Sequence, residues 1–216
     1  MTRAVRWSVL VLVMAPRLIA AQFYGISIGR SSSTVDWQYP PPPANCDFCI
    51  VDASPNASRV ALAPAVAAQW RADRWVGIAS EARFIQKGYA VTGPTLNVDY
   101  VEAPLLMRLG KLVDPRTPLT MFGEAGPALA VRVYCAVYFT YEPGDCGTKN
   151  LLTEDWRVRA FDISGITGAG VALHVGDNLV TAGARVDWGF VDINRSDGVP
   201  TKNRSYVGYV AWLWKW

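Results

Sequence analysis

The chain has 216 residues, 51% of them hydrophobic, and a formal net charge of +3, a size that leads us to expect one domain. Residues 1–21 hold three arginines and no acid, so the remainder carries 21 − 3 = 18 basic and 18 acidic residues and is formally neutral. That balance excludes a nucleic-acid partner held by a basic surface. No later stretch is apolar for the roughly 18 residues a spanning helix requires, so a membrane-spanning form must be a closed barrel.

Taken in chain order, Arg3 and Arg6 precede a short apolar run from Trp7 to Met14, and Leu18-Ile-Ala-Ala21 offers small residues before Gln22. This predicts a secretory signal over residues 1–21 and a barrel domain over residues 22–216. Eight runs of strand character follow, at residues 23–29, 59–70, 75–89, 98–109, 119–133, 161–175, 179–192 and 205–216; no helical periodicity of similar length competes. Long or turn-rich segments at 30–58, 90–97, 134–160 and 193–204 alternate with shorter ones at 71–74, 110–118 and 176–178, the last being the tightest. The expected fold is therefore all-β, an eight-stranded antiparallel up-and-down transmembrane β-barrel with short turns at one rim and long loops at the other.

Strand parity gives the second argument. In the third run Val76, Ile78, Ala82 and Phe84 oppose Gly77, Ala79, Glu81 and Arg83; in the seventh Val180, Val186, Trp188 and Phe190 oppose Thr181, Gly183, Arg185 and Asp187. A water-soluble sheet turns charges outward, whereas a small membrane barrel turns large apolar groups to lipid and charged or small groups to its lumen. Glycine and alanine beside the charges favour the second arrangement, because a narrow lumen must accommodate long side chains. This parity places Glu81, Glu102, Glu124, Asp162 and Asp187 inside with Arg83, Arg108, Arg132 and Arg185, five acids facing four arginines. Buried charges of this kind need pairing.

The aromatic residues predict two girdles on the lipid face: Trp70, Trp212, Trp214 and Trp216 near the short turns and C-terminus, and Phe84, Trp188, Phe190 and Tyr206 near the long loops. The alternative is a secreted lipocalin-like barrel with core aromatics.

Glu81-Ala-Arg-Phe-Ile-Gln-Lys-Gly88, Tyr100-Val-Glu-Ala-Pro-Leu-Leu-Met107 and Phe122-Gly-Glu-Ala-Gly-Pro127 together resemble the outer-membrane β-barrel domain family often labelled porin-family or PorT-like. Gly165, Gly168 and Gly170, and Lys202-Asn-Arg204, also fit. The resemblance covers the chain after residue 21 and departs from the pattern in ending on Trp216, where phenylalanine is usual, and in its cysteine-bearing loops. It implies fold and a bacterial outer-membrane location without a single activity. It also implies that the terminal aromatic is read by the barrel-assembly machinery.

Cys46, Cys49, Cys135 and Cys146 all fall in the first and third long loops, where an oxidising compartment favours disulfides. Three pairings are possible; Cys135 to Cys146 with Cys46 to Cys49 is preferred, and cross-loop pairing is the rival. Cys46-Asp-Phe-Cys49 lacks the strand–helix setting of a redox motif. The sole histidine, His174, closes the sixth run beside the short turn, the wrong rim for lipid-modifying chemistry. The three glycines of the sixth run read as close packing rather than a nucleotide loop. Asn56, Asn194 and Asn203 lie in glycosylation-like triplets and mark surface loops at best.

The expected function is structural or adhesive, without catalysis, metal or cofactor. Outer-membrane lipid is the expected surrounding, and a surface ligand would bind loops one and three. A narrow channel and a lipid-modifying enzyme are the alternatives.

Overall fold

The computed structural model describes residues 22–37, 58–71, 75–90, 95–110, 118–138, 143–145, 158–192 and 201–216. They form nine strands: β1 (Phe23–Trp37), β2 (Arg59–Arg71), β3 (Val76–Ala90), β4 (Thr95–Gly110), β5 (Leu119–Tyr138), β6 (Pro143–Asp145), β7 (Phe161–Val175), β8 (Asn178–Gly189) and β9 (Thr201–Lys215). Eight of them close into one antiparallel barrel in the order β4-β3-β2-β1-β9-β8-β7-β5, with β4 pairing β5. The ninth, β6, folds back on the end of β5 opposite Ala136 to Tyr138. Closure leaves no barrel edge to pair with another chain.

Partners followed perpendicular to the strands run from Ser33 through Ser205, Asp187, Ile166, Gly126, Leu106, Ala79 and Gln69 back to Phe23. The shear is thus 33 − 23 = 10 residues, which tilts the strands by roughly 40°. Neighbours opposite one another in the ladder therefore stand at different heights along the barrel axis.

Several strands run past their sequence-predicted ends. β1 reaches Trp37 rather than stopping at residue 29, β5 reaches Tyr138, and β9 begins at Thr201. In β1 the cause is the polar lumen. Ser31 and Ser33 point inward, where the Ser31 hydroxyl donates to the Ala61 carbonyl at 3.3 Å and the Ser33 and Ser205 hydroxyls lie 2.8 Å apart. Apolar alternation cannot mark such residues. The loop expected at residues 90–97 contracts to four residues, because β3 and β4 stay paired up to Ala90 and Thr95. It is shorter than residues 111–118 at the opposite rim, so loop length does not alternate there. Gly176 has φ of +61° and leads the two-residue turn between β7 and β8, as glycine does at the first central position of a type II′ hairpin.

The ladder of β2 with β3 covers only Ala65 to Arg71. It stops beside Pro64, which has no N–H to donate. Beyond it β2 stays on β1, and the Ser33 hydroxyl donates directly to the Gln86 carbonyl of β3 at 3.1 Å.

Candidate functional site: the lumen and the outer wall

The barrel is inside-out relative to a water-soluble protein. Ile26, Val66, Leu105, Met121, Leu129, Phe161 and Val210 all point outward and are exposed, Met121 by 76%. Meanwhile Glu81, Arg83, Lys87, Glu102, Arg108, Glu124, Asp162, Arg185 and Asp187 are all buried inside. Ordinary proteins almost never bury so many charges. Exposure of so large an apolar belt is compatible only with an apolar surrounding.

The buried charges form two tiers. In the tier nearer the C-terminal rim, Arg185 donates to both oxygens of Glu81 at 2.8 Å and to Glu124 at 2.6 Å. Arg108 donates to Glu124 at 2.9 Å and to the Gln69 side-chain oxygen at 2.6 Å, and the Tyr209 hydroxyl donates to Glu124 at 3.0 Å. The Arg185 guanidinium also lies 4.0 Å from the Tyr209 ring centre, and that of Arg108 lies 4.5 Å from the Phe122 ring. In the second tier Arg83 donates to Glu102 at 2.7 Å and pairs with Asp187. Lys87 bridges Glu102 at 3.0 Å and Asp162 at 3.1 Å, and the Asn203 amide donates to Asp162 at 2.9 Å. Forked, charge-assisted bonds of this sort hold arginine in one geometry.

Apolar plugs flank the tiers. Towards the long loops lie Val35, Ile85, Val98, Tyr100, Ala130, Val158 and Val207; towards the C-terminal rim lie Phe23, Phe122, Ala172, Leu179, Ala211 and Leu213. The described residues thus fill the lumen with side chains, as is expected of eight strands.

Glycines make the filling possible. A Cβ on Gly168 would meet the Ala184 carbonyl at 2.5 Å and the Arg185 side chain at 2.9 Å, and one on Gly170 would strike the Phe122 ring at 2.7 Å. Gly165 lies under the Phe190 ring on the outer wall, 2.6 Å from where a Cβ would stand. Close packing is therefore the role of all three.

Arg132 corrects the sequence expectation. It is half-buried beside the long-loop rim, opposite Tyr100, and donates to the Val158 carbonyl at 2.5 Å rather than to a lumen carboxylate. The reason is the length of β5 together with an irregular register at Asp99 and Tyr100, which carries Arg132 above the charged tiers. Its expected place is taken by Lys87. The sequence pattern held the signal, since Lys87 lies within the run 75–89 and shares parity with Glu81 and Arg83. Gln69, Tyr209 and Asn203 were missed likewise. Asn203 lies buried in the lumen and not in a surface loop.

Trp70, Phe84, Trp188, Phe190, Tyr206, Trp212, Trp214 and Trp216 all occupy outward positions of their strands or flank them. Trp216 meets the Tyr24 ring edge-on at 5.6 Å, and its N–H donates to the Gln22 carbonyl at 3.1 Å, which ties the last residue to the first strand. His174 faces inward at the C-terminal rim, 6.5 Å from the Phe23 ring. Cys135 packs against the apolar plug at the long-loop rim; Cys46, Cys49 and Cys146 lie outside the described residues, as do Asn56, Asn194 and residues 1–21. Among the described residues no cluster suited to a metal ion occurs.

Neither a protein-family model nor a curated protein matches the sequence. Solved structures do match. Neisserial surface protein A (NspA) aligns at a TM-score of 0.53 and 13% identity, over 91% of this chain and 98% of that one. Ail, the attachment invasion locus protein of Yersinia pestis, aligns at a TM-score of 0.47 and 10% identity, over 90% of this chain and 100% of that one. The likeness to NspA shows the fold: a closed eight-stranded antiparallel barrel.

Proposed function

We propose that the protein is exported by residues 1–21 and resides in the bacterial outer membrane as a small, non-conducting barrel. In this reading it belongs with the porin-family or PorT-like barrels and acts without catalysis. The observation that carries it is the paired, side-chain-filled lumen under an apolar outer wall, an arrangement that only lipid stabilises. Short connections then face the periplasm and the long loops face outward. The work beyond membrane structure falls to the first and third loops, residues 38–57 and 139–157, which carry tyrosine, proline and cysteine and suit a surface ligand. A Cys135–Cys146 disulfide would clip the third loop and restrict its unbound conformations. Trp216 would present the terminal aromatic to the barrel-assembly machinery.

Four measurements test this reading. The protein should fractionate with the outer membrane and migrate differently on gels before and after heating. In planar bilayers it should give no stable conductance steps. A steady open level would overturn the non-conducting reading in favour of a channel. Deletion of residues 139–157 should abolish binding to a surface ligand and leave insertion intact; unchanged binding would remove the loop assignment.

A further inference from the structure

Among the described side chains, one outward cation stands well inside a strand. Arg30 lies at an outward position of β1 between Ile28 and Ser32 and is exposed, well inside the strand. Among the described side chains the other outward charges, Asp99, Lys202 and Arg204, all lie in the first five residues of a strand. Arg30 is paired in the ladder with Gly208. A shear of ten residues over eight strands offsets each neighbour by about 1.25 residues. Arg30 therefore stands level with Tyr206 and Phe84, the aromatic girdle near the long loops, rather than with Gly208. An arginine at the bilayer midplane costs roughly 2–4 kcal/mol and close to nothing at the interface. At girdle height its guanidinium reaches headgroups while the stem stays in the acyl region.

The wall beside it is hollow. A groove of about 740 Å³ runs across β1, β9, β8 and β7, lined by Arg30, Ser32, Thr167, Ala184, Tyr206 and Gly208 among others. Its floor is made of small residues, and a Cβ on Gly208 would meet nothing within 4 Å. One part of the groove thus carries a forked cationic donor, with Ser32 and Tyr206 in the adjoining lining. The rest, from Gly208 across Ala184 to Val186 and Thr167, is a shallow trough of mostly small and apolar groups, and Val60 flanks Arg30 and Ser32 on the other side. Phosphate matches the guanidinium fork in geometry and charge, and an acyl chain matches the trough.

We propose that this groove binds a phosphorylated glycolipid of the outer leaflet, of lipid A chemistry, with a phosphate on Arg30 and an acyl chain across Gly208 and Ala184. The proposal rests on the outer-membrane reading above, because the girdle near the long loops then faces the outer leaflet.

The test uses the full barrel purified in neutral detergent and titrated with bisphosphorylated lipid A, dephosphorylated lipid A or phosphatidylglycerol, with bound lipid counted by native mass spectrometry. Wild type should prefer the phosphorylated glycolipid over its dephosphorylated form by roughly tenfold, the scale of one charge-assisted contact. Arg30→Gln should erase that preference, and Gly208→Leu should weaken retention with the charge intact by filling the trough. Both positions are open, so both variants should keep heat-modifiable migration. Undiminished lipid A retention in Arg30→Gln overturns the proposal, as does phosphatidylglycerol bound equally tightly with the same dependence on Arg30. Loss of heat-modifiable migration in wild type itself would instead remove the barrel-in-membrane reading.

Discussion

Replacing Arg185 with methionine strands charge in the lumen. Arg185 holds both oxygens of Glu81 at 2.8 Å and also reaches Glu124 at 2.6 Å. Glu124 retains Arg108 and the Tyr209 hydroxyl, at 2.9 Å and 3.0 Å; among the described residues Arg185 is the cation paired with Glu81. Breaking a buried pair while leaving its partner charged costs about 3–5 kcal/mol. Methionine fills much of the volume, so little of the loss should come from a cavity. Urea titration of barrels folded in lipid vesicles, followed by the fluorescence of the eight tryptophans after residue 21, should show that loss as a lower midpoint. Salt should barely change it, because buried pairs are weakly screened. The double variant Glu81→Gln with Arg185→Met removes the stranded carboxylate and should recover most of the stability. A loss below about 1 kcal/mol, the scale of a solvent-exposed pair, would refute the reasoning. It would mean that the lumen is hydrated, and bilayer conductance should then appear in wild type as well.

Gly168→Val should lower stability by about 1–3 kcal/mol through overpacking, since a Cβ there meets a carbonyl at 2.5 Å; an unchanged urea midpoint would contradict the close packing. Val210→Arg puts a charge on the middle of the outer wall, where Val210 is 51% exposed. Folding into vesicles should be weakened by roughly 2–4 kcal/mol, and an undiminished folded fraction would show that this face does not meet lipid. Trp216→Asp should reduce the heat-modifiable barrel recovered from cells while purified protein still folds into vesicles; normal recovery from cells would count against a role of the terminal aromatic in assembly.

What the sequence determined by itself was the side each residue faces. A period of two leaves no intermediate choice: once Val76, Ile78 and Phe84 were set against Glu81 and Arg83, the wall and the lumen followed. A one-residue slip would have turned every charge outward. Strand number followed from the same alternation, and the close packing of Gly165, Gly168 and Gly170 from their place within a strand. Where alternation carries no contrast, sequence reading stopped. Ser31 and Ser33 look like loop, yet they extend β1 because the lumen they face is polar. Arg132 and Lys87 share inward parity with the other charges, but their heights depend on shear and on the irregular ladder of β5, quantities set by closure of all eight strands at once. The same closure lifts Arg30 to the level of Tyr206 and hollows the wall beside Gly208. Parity is local, encoded two residues at a time; height around a tilted barrel is a property of the closed ring, and only the tertiary structure decides it.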